Sequence, residues 1–127
     1  KDFQQLSLIE SHIIKNKIKT KVVRCTTIRE GNGLALSSRN TKLQKEDLLK
    51  TGNIYKFIKN NKKLILNKIL KKKKLEIVSK IIKLGANKVD YIECIDLDKR
   101  KVSKNLNSKF NVFIAYYISK VRLIDNL

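Results

Sequence analysis

The sequence has no methionine, proline or tryptophan, and its 127 residues include one histidine and two cysteines. Cys25 and Cys94 stand far apart, without a C-x-x-C pair or a Cys/His cluster, which excludes a disulfide framework and a zinc site. We expect both to be buried thiols on strands. Because methionine is absent and Lys1 already lies inside a motif, we expect the chain to be a fragment of a longer protein.

Long apolar runs are also absent. No stretch approaches the roughly 20 apolar residues that cross a bilayer, and the opening segment lacks the apolar core of a secretory signal. We therefore expect a soluble cytoplasmic protein that makes no contact with a membrane.

Acidic residues are scarce: 11 oppose 30 lysines and arginines, which gives a net charge of +19. Such a charge favours nucleic acid or an anionic surface as partner. However, base readout and bidentate phosphate binding favour arginine, and the cations here are overwhelmingly lysine. We interpret the charge as the composition that AT-rich codons produce, and the 71–74 lysine run as a solvated helix junction first and a polyanion patch second. We do not expect a nucleic-acid partner, and a Lys-rich nucleic-acid-binding protein remains the alternative.

The most informative segment that is present runs from Gly33 to Asn40. Ser37, Ser38, Arg39 and Asn40 place two hydroxyls, a guanidinium and a carboxamide in succession after a loop that contains glycine. Backbone N–H groups and hydroxyls can donate to a phosphate, and arginine can bind it bidentately. The alternative is a polar turn that caps the next helix.

Periodicity predicts the surrounding elements. Apolar residues at helical spacing predict an amphipathic helix over 2–16, and Val22, Val23 and Cys25 predict a short strand. Residues 29–43 form a loop with Gly31 and Gly33 as flexible points, and Gly85 follows the last helix. The later elements are predicted as helices at 44–59, 61–70 and 74–84, and strands at 89–96, 110–118 and 121–125, the last two forming a hairpin.

Four short motifs resemble one family. They read K-D-F-Q-Q-L at 1–6, T-I-R-E followed by G-L-A-L-S-S-R-N at 27–40, V-D-Y-I-E at 89–93 and R-L-I-D-N at 122–126. This set is similar to the pantothenate synthetases (pantoate–β-alanine ligases), whose sequences read K-D-[FY]-Q-Q-L, P-T-V-R-E-x-D-G-L-A-[ML]-S-S-R-N, D-Y-x-E and R-L-I-D-N. The match up to Asn40 needs no gap, whereas residues 41–88 match only in helical character.

The resemblance implies an α+β fold in two parts. Residues 1–27 are expected to be the C-terminal end of a Rossmann-like nucleotide-binding domain, contributing its last helix and strand. Residues 28–127 are expected to be a small C-terminal lid domain of helices packed on an antiparallel sheet. The family's H-x-G-H motif should precede Lys1, so the fragment should be inactive alone, and a homodimer is expected through the missing N-terminal domain.

The resemblance also implies the chemistry and the site. Family members activate pantoate with ATP to a pantoyl adenylate and pyrophosphate, and β-alanine then displaces AMP. ATP is a substrate, Mg²⁺ is expected with it, and no residue is assigned as a metal ligand. The residues that match family positions are Lys1, Ser37, Ser38 and Arg39 for catalysis, the same four with Asp2, Ile28 and Leu36 for ATP, and Gln5 for pantoate. Another adenylate-forming nucleotidyltransferase of the same superfamily is a further alternative.

Three residues depart from the family pattern. Thr26 replaces a proline, Asn32 replaces an aspartate, and Ser119 replaces the glycine of the final hairpin turn. We expect Thr26 and Ser119 to relax backbone constraints, and Asn32, which removes a negative charge, to alter loop anchoring or metal-linked phosphate geometry.

Overall fold

A computed structural model describes residues 2–127, and Lys1 lies outside the described residues. The helices begin and end within one or two residues of the predicted bounds, which confirms them. The elements are α1 (Phe3–Lys15), a 3-10 turn (Ser38–Lys42), α2 (Lys45–Asn60), α3 (Lys62–Leu70), α4 (Lys74–Lys83), β1 (Lys88–Asp96), β2 (Lys101–Val102), β3 (Phe110–Ile118) and β4 (Val121–Asn126).

The four strands form one antiparallel sheet in the order β2-β1-β3-β4. The apolar run of β3 therefore occupies a central position, as its sequence predicted, and Val112 and Ile114 are fully buried. β3 and β4 pair from Phe113 with Asn126 to Ile118 with Val121, which confirms the predicted hairpin. Helices with an antiparallel sheet make this an α+β fold, as expected.

One face of the sheet carries the core. Helices α2, α3 and α4 each contribute fully buried side chains, led by Ile54, Ile65 and Ile81. These side chains pack with those of Ile92 on β1 and Ile114 on β3. Burying one such side chain stabilises the folded protein by about 1.5–3 kcal/mol relative to leaving it exposed, so the packing on this face is the main source of the hydrophobic stabilisation.

Helix α1 lies on the other face of the sheet and packs loosely. None of its residues is buried, and one of its apolar contacts with the sheet is the edge-to-face pair of Phe3 and Phe113, whose ring centroids are 5.5 Å apart. Arg100, in the turn between β1 and β2, adds a polar contact, since its Nη1 donates to Ser11 Oγ at 2.7 Å. The Arg24 guanidinium donates to both carboxylate oxygens of Glu10 at 2.6 Å and so ties the segment that follows α1 back to the helix. The cleft between α1 and the sheet has a volume of about 500 Å³.

The strand predicted at Val22, Val23 and Cys25 is wrong for the part of the chain that the structure describes, because residues 18–28 have no regular structure. A strand is stabilised by hydrogen bonds to a neighbouring strand, and none of the four strands of the described sheet pairs with this segment. The prediction for Cys25 is also wrong, since its side chain is exposed. Cys94 is a buried thiol on β1, as predicted.

The final hairpin turn keeps a backbone conformation typical of glycine. Ser119 has a φ of +52°, so the expectation that serine relaxes the turn is wrong. Hydrogen bonds hold this residue in place: its N–H donates to Asn87 Oδ1 at 2.5 Å, and its hydroxyl donates to the buried carboxylate of Asp47 at 3.2 Å. These contacts offset the cost of a left-handed conformation at a residue with a Cβ.

Candidate functional site

The segment that contains the candidate phosphate-binding residues begins as a small antiparallel loop. Arg29 and Ala35 form a bridge, Gly33 N donates to Glu30 O at 2.8 Å, and Leu36 N donates to Ile28 O at 3.0 Å. Ile28 therefore lies opposite Leu36, and directly opposed side chains share a face of a ladder. Both are exposed, at 71% and 52%, and together they form an apolar step beside the polar residues that follow.

Ser37 to Asn40 form the polar turn that the sequence offered as an alternative. Ser37 is extended, and its Oγ accepts a hydrogen bond from Arg39 N at 3.3 Å at the start of the 3-10 turn. Asn40 is buried, and its Nδ2 donates to Ala35 O at 3.2 Å. Ser38 and Arg39 are exposed, and no hydrogen bond or ion pair of the Arg39 guanidinium forms within residues 2–127. The turn is thus built by Ser37 and Asn40, which leaves Ser38 and Arg39 to face solvent.

Arg29 ties this loop to the end of the sheet. Its Nη1 lies 2.6 Å from Asp125 Oδ2 and its Nη2 lies 3.0 Å from Asp125 Oδ1. The hydrogen bond to Asp125 raises the pKa of Arg29, although burial opposes the rise. The guanidinium also lies over the ring of Tyr55 on α2, with its carbon 4.9 Å from the ring centroid. Arg29 therefore joins the loop to β4 and α2 at one point.

Asn32 fixes the tip of the same loop to α2. Its Nδ2 donates to Leu48 O at 2.7 Å, and its Oδ1 accepts from Leu34 N at 3.0 Å. An aspartate at this position has no N–H group to donate to the Leu48 carbonyl. The departure noted at Asn32 thus bears on loop anchoring, one of the two effects that we expected.

Asp2 and Gln5 lie at the start of α1. Asp2 caps the helix, because its Oδ1 accepts from Gln5 N at 3.2 Å, and the Gln5 side chain is exposed. Asp2 and Asp125 both line a small cavity of about 40 Å³. The structure therefore brings Asp2 near the Arg29–Asp125 pair, whereas no hydrogen bond within residues 2–127 joins Gln5 to Ser37, Ser38 or Arg39. Lys1 lies outside the described residues.

The motifs near the end of the chain make structural pairs that sequence reasoning did not assign. Arg122 Nε donates to Asp90 Oδ2 at 2.8 Å, and this bond lowers the pKa of Asp90. Asp125 binds Arg29, as described above. Tyr55 belongs to none of the motifs and was missed, and the sequence offered no signal for it beyond the general attraction between an arginine and a tyrosine ring. The sequence held one signal for the Arg122–Asp90 and Arg29–Asp125 ion pairs, because each pair joins oppositely charged residues of two different motifs.

Metal-ligating and membrane-spanning features are not found within residues 2–127. No group of three or more His, Cys, Asp or Glu side chains is placed there to hold a metal ion. No described helix is both long enough and apolar enough to cross a membrane.

These features define an α+β domain that presents an exposed Ser-Ser-Arg turn beside an apolar step. The family model for pantoate-beta-alanine ligase matches residues 1–127. The chain belongs to this family, which confirms the resemblance seen in its motifs.

Curated relatives agree with the family match. The chain is similar to the pantothenate synthetase of Endomicrobium trichonymphae, with 38% identity over 128 residues that cover all of this chain and 45% of the relative. It is also 36% identical to the pantothenate synthetase of Flavobacterium psychrophilum over 133 residues, which cover all of this chain and 46% of the relative. The chain thus spans about half the length of the curated relatives it matches.

Solved structures extend the likeness to three dimensions. The pantoate-beta-alanine ligase from Francisella tularensis, complexed with beta-gamma ATP and beta-alanine, matches with a TM-score of 0.67 and 35% identity. That match covers all of this chain and 40% of the solved chain. A pantothenate synthetase from Thermus thermophilus matches with a TM-score of 0.80, all of this chain and 46% of that chain covered, and 24% identity, which bears on the fold alone.

Proposed function

We propose that this chain is the C-terminal part of an ATP-dependent ligase that joins pantoate to β-alanine and releases AMP and pyrophosphate. One observation carries the proposal: the exposed Ser38 and Arg39 lie in a turn whose sequence fits a family motif, within a chain that matches the family from 1 to 127. The ATP and β-alanine bound to the Francisella tularensis relative support the same substrates here.

The proposed reaction has two steps. A carboxylate oxygen of pantoate attacks the α-phosphorus of ATP, and the bond to the bridging oxygen of the β-phosphate breaks to release pyrophosphate. The amine of β-alanine then attacks the acyl carbon of the pantoyl adenylate, loses a proton and expels AMP. The first step brings an anionic carboxylate to an anionic phosphate, and both steps release a phosphate-bearing leaving group. Donors already in place near the phosphates therefore stabilise the negative charge that develops on the leaving groups.

The residues on this chain divide between those tasks. Arg39, with the Ser37 and Ser38 hydroxyls, donates to the phosphates, because a guanidinium and hydroxyls are the groups that the turn offers. Ile28 contacts the nucleotide through its backbone, and Leu36, which lies opposite it in the same loop, also contacts the nucleotide. The remaining assignments are Lys1 and Asp2 for ATP and Gln5 for pantoate, whose carboxamide can donate to an oxygen and accept from a hydroxyl.

Mg²⁺ enters the proposal as part of the substrate, bound to ATP through its phosphate oxygens. Residues 2–127 do not supply a cluster that fits a resident metal, so no residue of this chain is assigned to it. We further propose the boundary between residues 1–27 and 28–127, a homodimer formed through the upstream domain, and a cytoplasmic location.

The nucleic-acid alternative gains no support from the aromatic residues. Stacking on bases needs aromatic side chains exposed on a basic face. Phe113 and Tyr116 are buried, Phe3 packs on Phe113, and Tyr55 is occupied by Arg29.

The test compares two proteins: residues 1–127 alone, and the complete protein, meaning this chain together with the upstream part that the family adds. With pantoate, β-alanine and ATP, we expect the complete protein to form pantothenate and AMP in equal amounts, and residues 1–127 to form neither. Omitting β-alanine should leave pyrophosphate release in a first turnover. Pantothenate formation by residues 1–127 alone, or none by the complete protein, would contradict the proposal.

A further inference from the structure

We infer that Arg29 is the positioning residue of the proposed ATP-binding turn: through Asp125 and Tyr55 it sets where Ile28, Leu36 and the Ser-Ser-Arg residues stand. This inference rests on the proposed function, and it assigns to Arg29 no contact with substrate.

The hydrogen bonds of Arg29 are directed inward. Nη1 donates to Gly33 O at 2.9 Å as well as to Asp125, and Nη2 approaches Asn126 O at 3.4 Å as well as Asp125. Both terminal nitrogens of the guanidinium thus already donate to protein oxygens, so the Arg29 side chain is poorly placed to bind a phosphate as well. A lysine has one nitrogen and no planar fork, so it can keep the charge but not this set of bonds.

The face of the guanidinium is occupied as well. Tyr55 supplies its ring at 4.9 Å, and the backbone of Gly33 lies against the same ring. Arg29 and Gly33 of the loop therefore both contact the ring of Tyr55 on α2. The loop cannot shift along the domain without separating Arg29 from Asp125 or Gly33 from Tyr55.

The bonds of the loop transmit this placement to the candidate site. Arg29 pairs with Ala35 in the antiparallel bridge. Ile28 precedes Arg29 in the chain, and Leu36 follows Ala35 on the opposite side of the bridge, so both lie next to this pair. Ser37 follows Leu36 and starts the 3-10 turn. Asp125 also borders the small cavity that Asp2 lines. The Arg29–Asp125 ion pair therefore lies between the start of α1, which carries Asp2, and the loop that carries the other candidate residues.

Arg122 provides a matched control. It forms an ion pair with Asp90 at 2.8 Å, also between two family motifs and also on β4, and none of its described bonds reaches residues 28–40. Replacing it by lysine removes a guanidinium that pairs β4 with Asp90 of β1 through its Nε. The two arginine-to-lysine variants thus each disturb one ion pair that involves β4, and only Arg29→Lys removes bonds that hold the loop.

The experiment measures Arg29→Lys, Asp125→Asn, the double variant and Arg122→Lys in the complete protein, at a temperature where thermal unfolding shows each to be folded. We expect Arg29→Lys to raise the KM for ATP and to slow pyrophosphate release, each by about tenfold or more, with the KM for β-alanine unchanged. Asp125→Asn should act alike, the double variant should be little worse than either single variant, and Arg122→Lys should match the wild type.

Two outcomes would overturn the inference. One is wild-type ATP kinetics in Arg29→Lys. The other is a lower kcat with every KM unchanged, in proportion to lost folded protein, which marks a stability role alone. A wild-type protein that forms no pantothenate would refute the proposed function itself, and the positioning role with it, whereas an active wild type with an unaffected Arg29→Lys refutes the positioning role only.

Discussion

Gly33 lies with its backbone against the ring of Tyr55, where a Cβ would overlap three ring carbons. The φ of Gly33 is +93°, which side chains of L-residues rarely adopt. Space and backbone conformation thus both require glycine at the base of the candidate turn.

Gly33→Ala should therefore lower the free energy of unfolding by about 2 kcal/mol or more, through strain at positive φ and displacement of Tyr55. Gly31 is the control, because a Cβ there meets no atom within 4 Å. Gly31→Ala should change stability by no more than about 1 kcal/mol, in the stabilising direction, by restricting the unfolded chain. Denaturant unfolding of both variants measures the contrast, and equal effects would contradict the described loop.

The two thiols should differ in reactivity. Cys25 is exposed, whereas burial raises the pKa of Cys94 to about 12, although the charge of Lys62 acts in the other direction. Because the thiolate is the reactive form, a thiol reagent at pH 8 should label one cysteine rapidly in the folded protein and both after denaturation. Cys25→Ser should abolish the rapid phase. Rapid labelling of Cys94 in that variant would mean that β1 is open.

Asp47 should contribute to acid sensitivity. Burial alone would raise its pKa, but hydrogen bonds from Lys50, from Gln44 N and from the Ser119 hydroxyl keep the pKa below its ordinary value. As the pH falls below about 4, Asp47 takes up a proton more readily in the unfolded chain than in the folded protein. The stability that the Asp47 carboxylate contributes is therefore present above that pH and is lost below it. Asp47→Asn should flatten the fall in stability between about pH 4 and pH 2, relative to the wild type. Denaturant unfolding at a series of pH values measures the slope, and a slope in Asp47→Asn parallel to that of the wild type would contradict this role for Asp47.

Arg39 should act on adenylation rather than on ATP docking. A charged hydrogen bond contributes roughly 1.5–3 kcal/mol. Arg39→Ala should thus slow pyrophosphate release at saturating ATP by on the order of 10- to 150-fold and weaken ATP binding less. Arg39→Lys should recover the rate in part, since it restores the charge without the planar fork. Unchanged release in Arg39→Ala would reduce the turn to a helix cap.

Replacing Gln5 should affect the binding of pantoate and leave the binding of ATP nearly unchanged. Gln5→Leu in the complete protein keeps the helix and the approximate volume but leaves a pantoate oxygen without a partner, at about 1–3 kcal/mol. The KM for pantoate should rise about 5- to 150-fold, with little change for ATP. Gln4→Leu, at the neighbouring exposed position, is the matched control. Equal losses for ATP and pantoate would remove the specific assignment of Gln5.

Much of the fold follows from local pattern. Helical spacing of apolar residues located α1 to α4, the continuous apolar run located β3, and Gly85, with a φ of +111°, ends the last helix as predicted. These features depend on residues within a few positions of each other, so the sequence alone specifies them. Val22 to Cys25 show the limit, because a β-branched run makes a strand only where a partner strand is available.

The candidate site divides in the same way. The residue types at 36–39 and the motif match came from sequence, and they identify which side chains can meet a phosphate. Which of them are used by the fold itself was decided by tertiary structure: Ser37 and Asn40 build the turn, and Ser38 and Arg39 remain exposed. The pair of Arg29 and Asp125 spans 96 positions, and no local pattern announces a contact over that distance. Its geometry exists only because β4 pairs with β3 and α2 packs over the sheet, which brings a carboxylate and a ring to the same guanidinium.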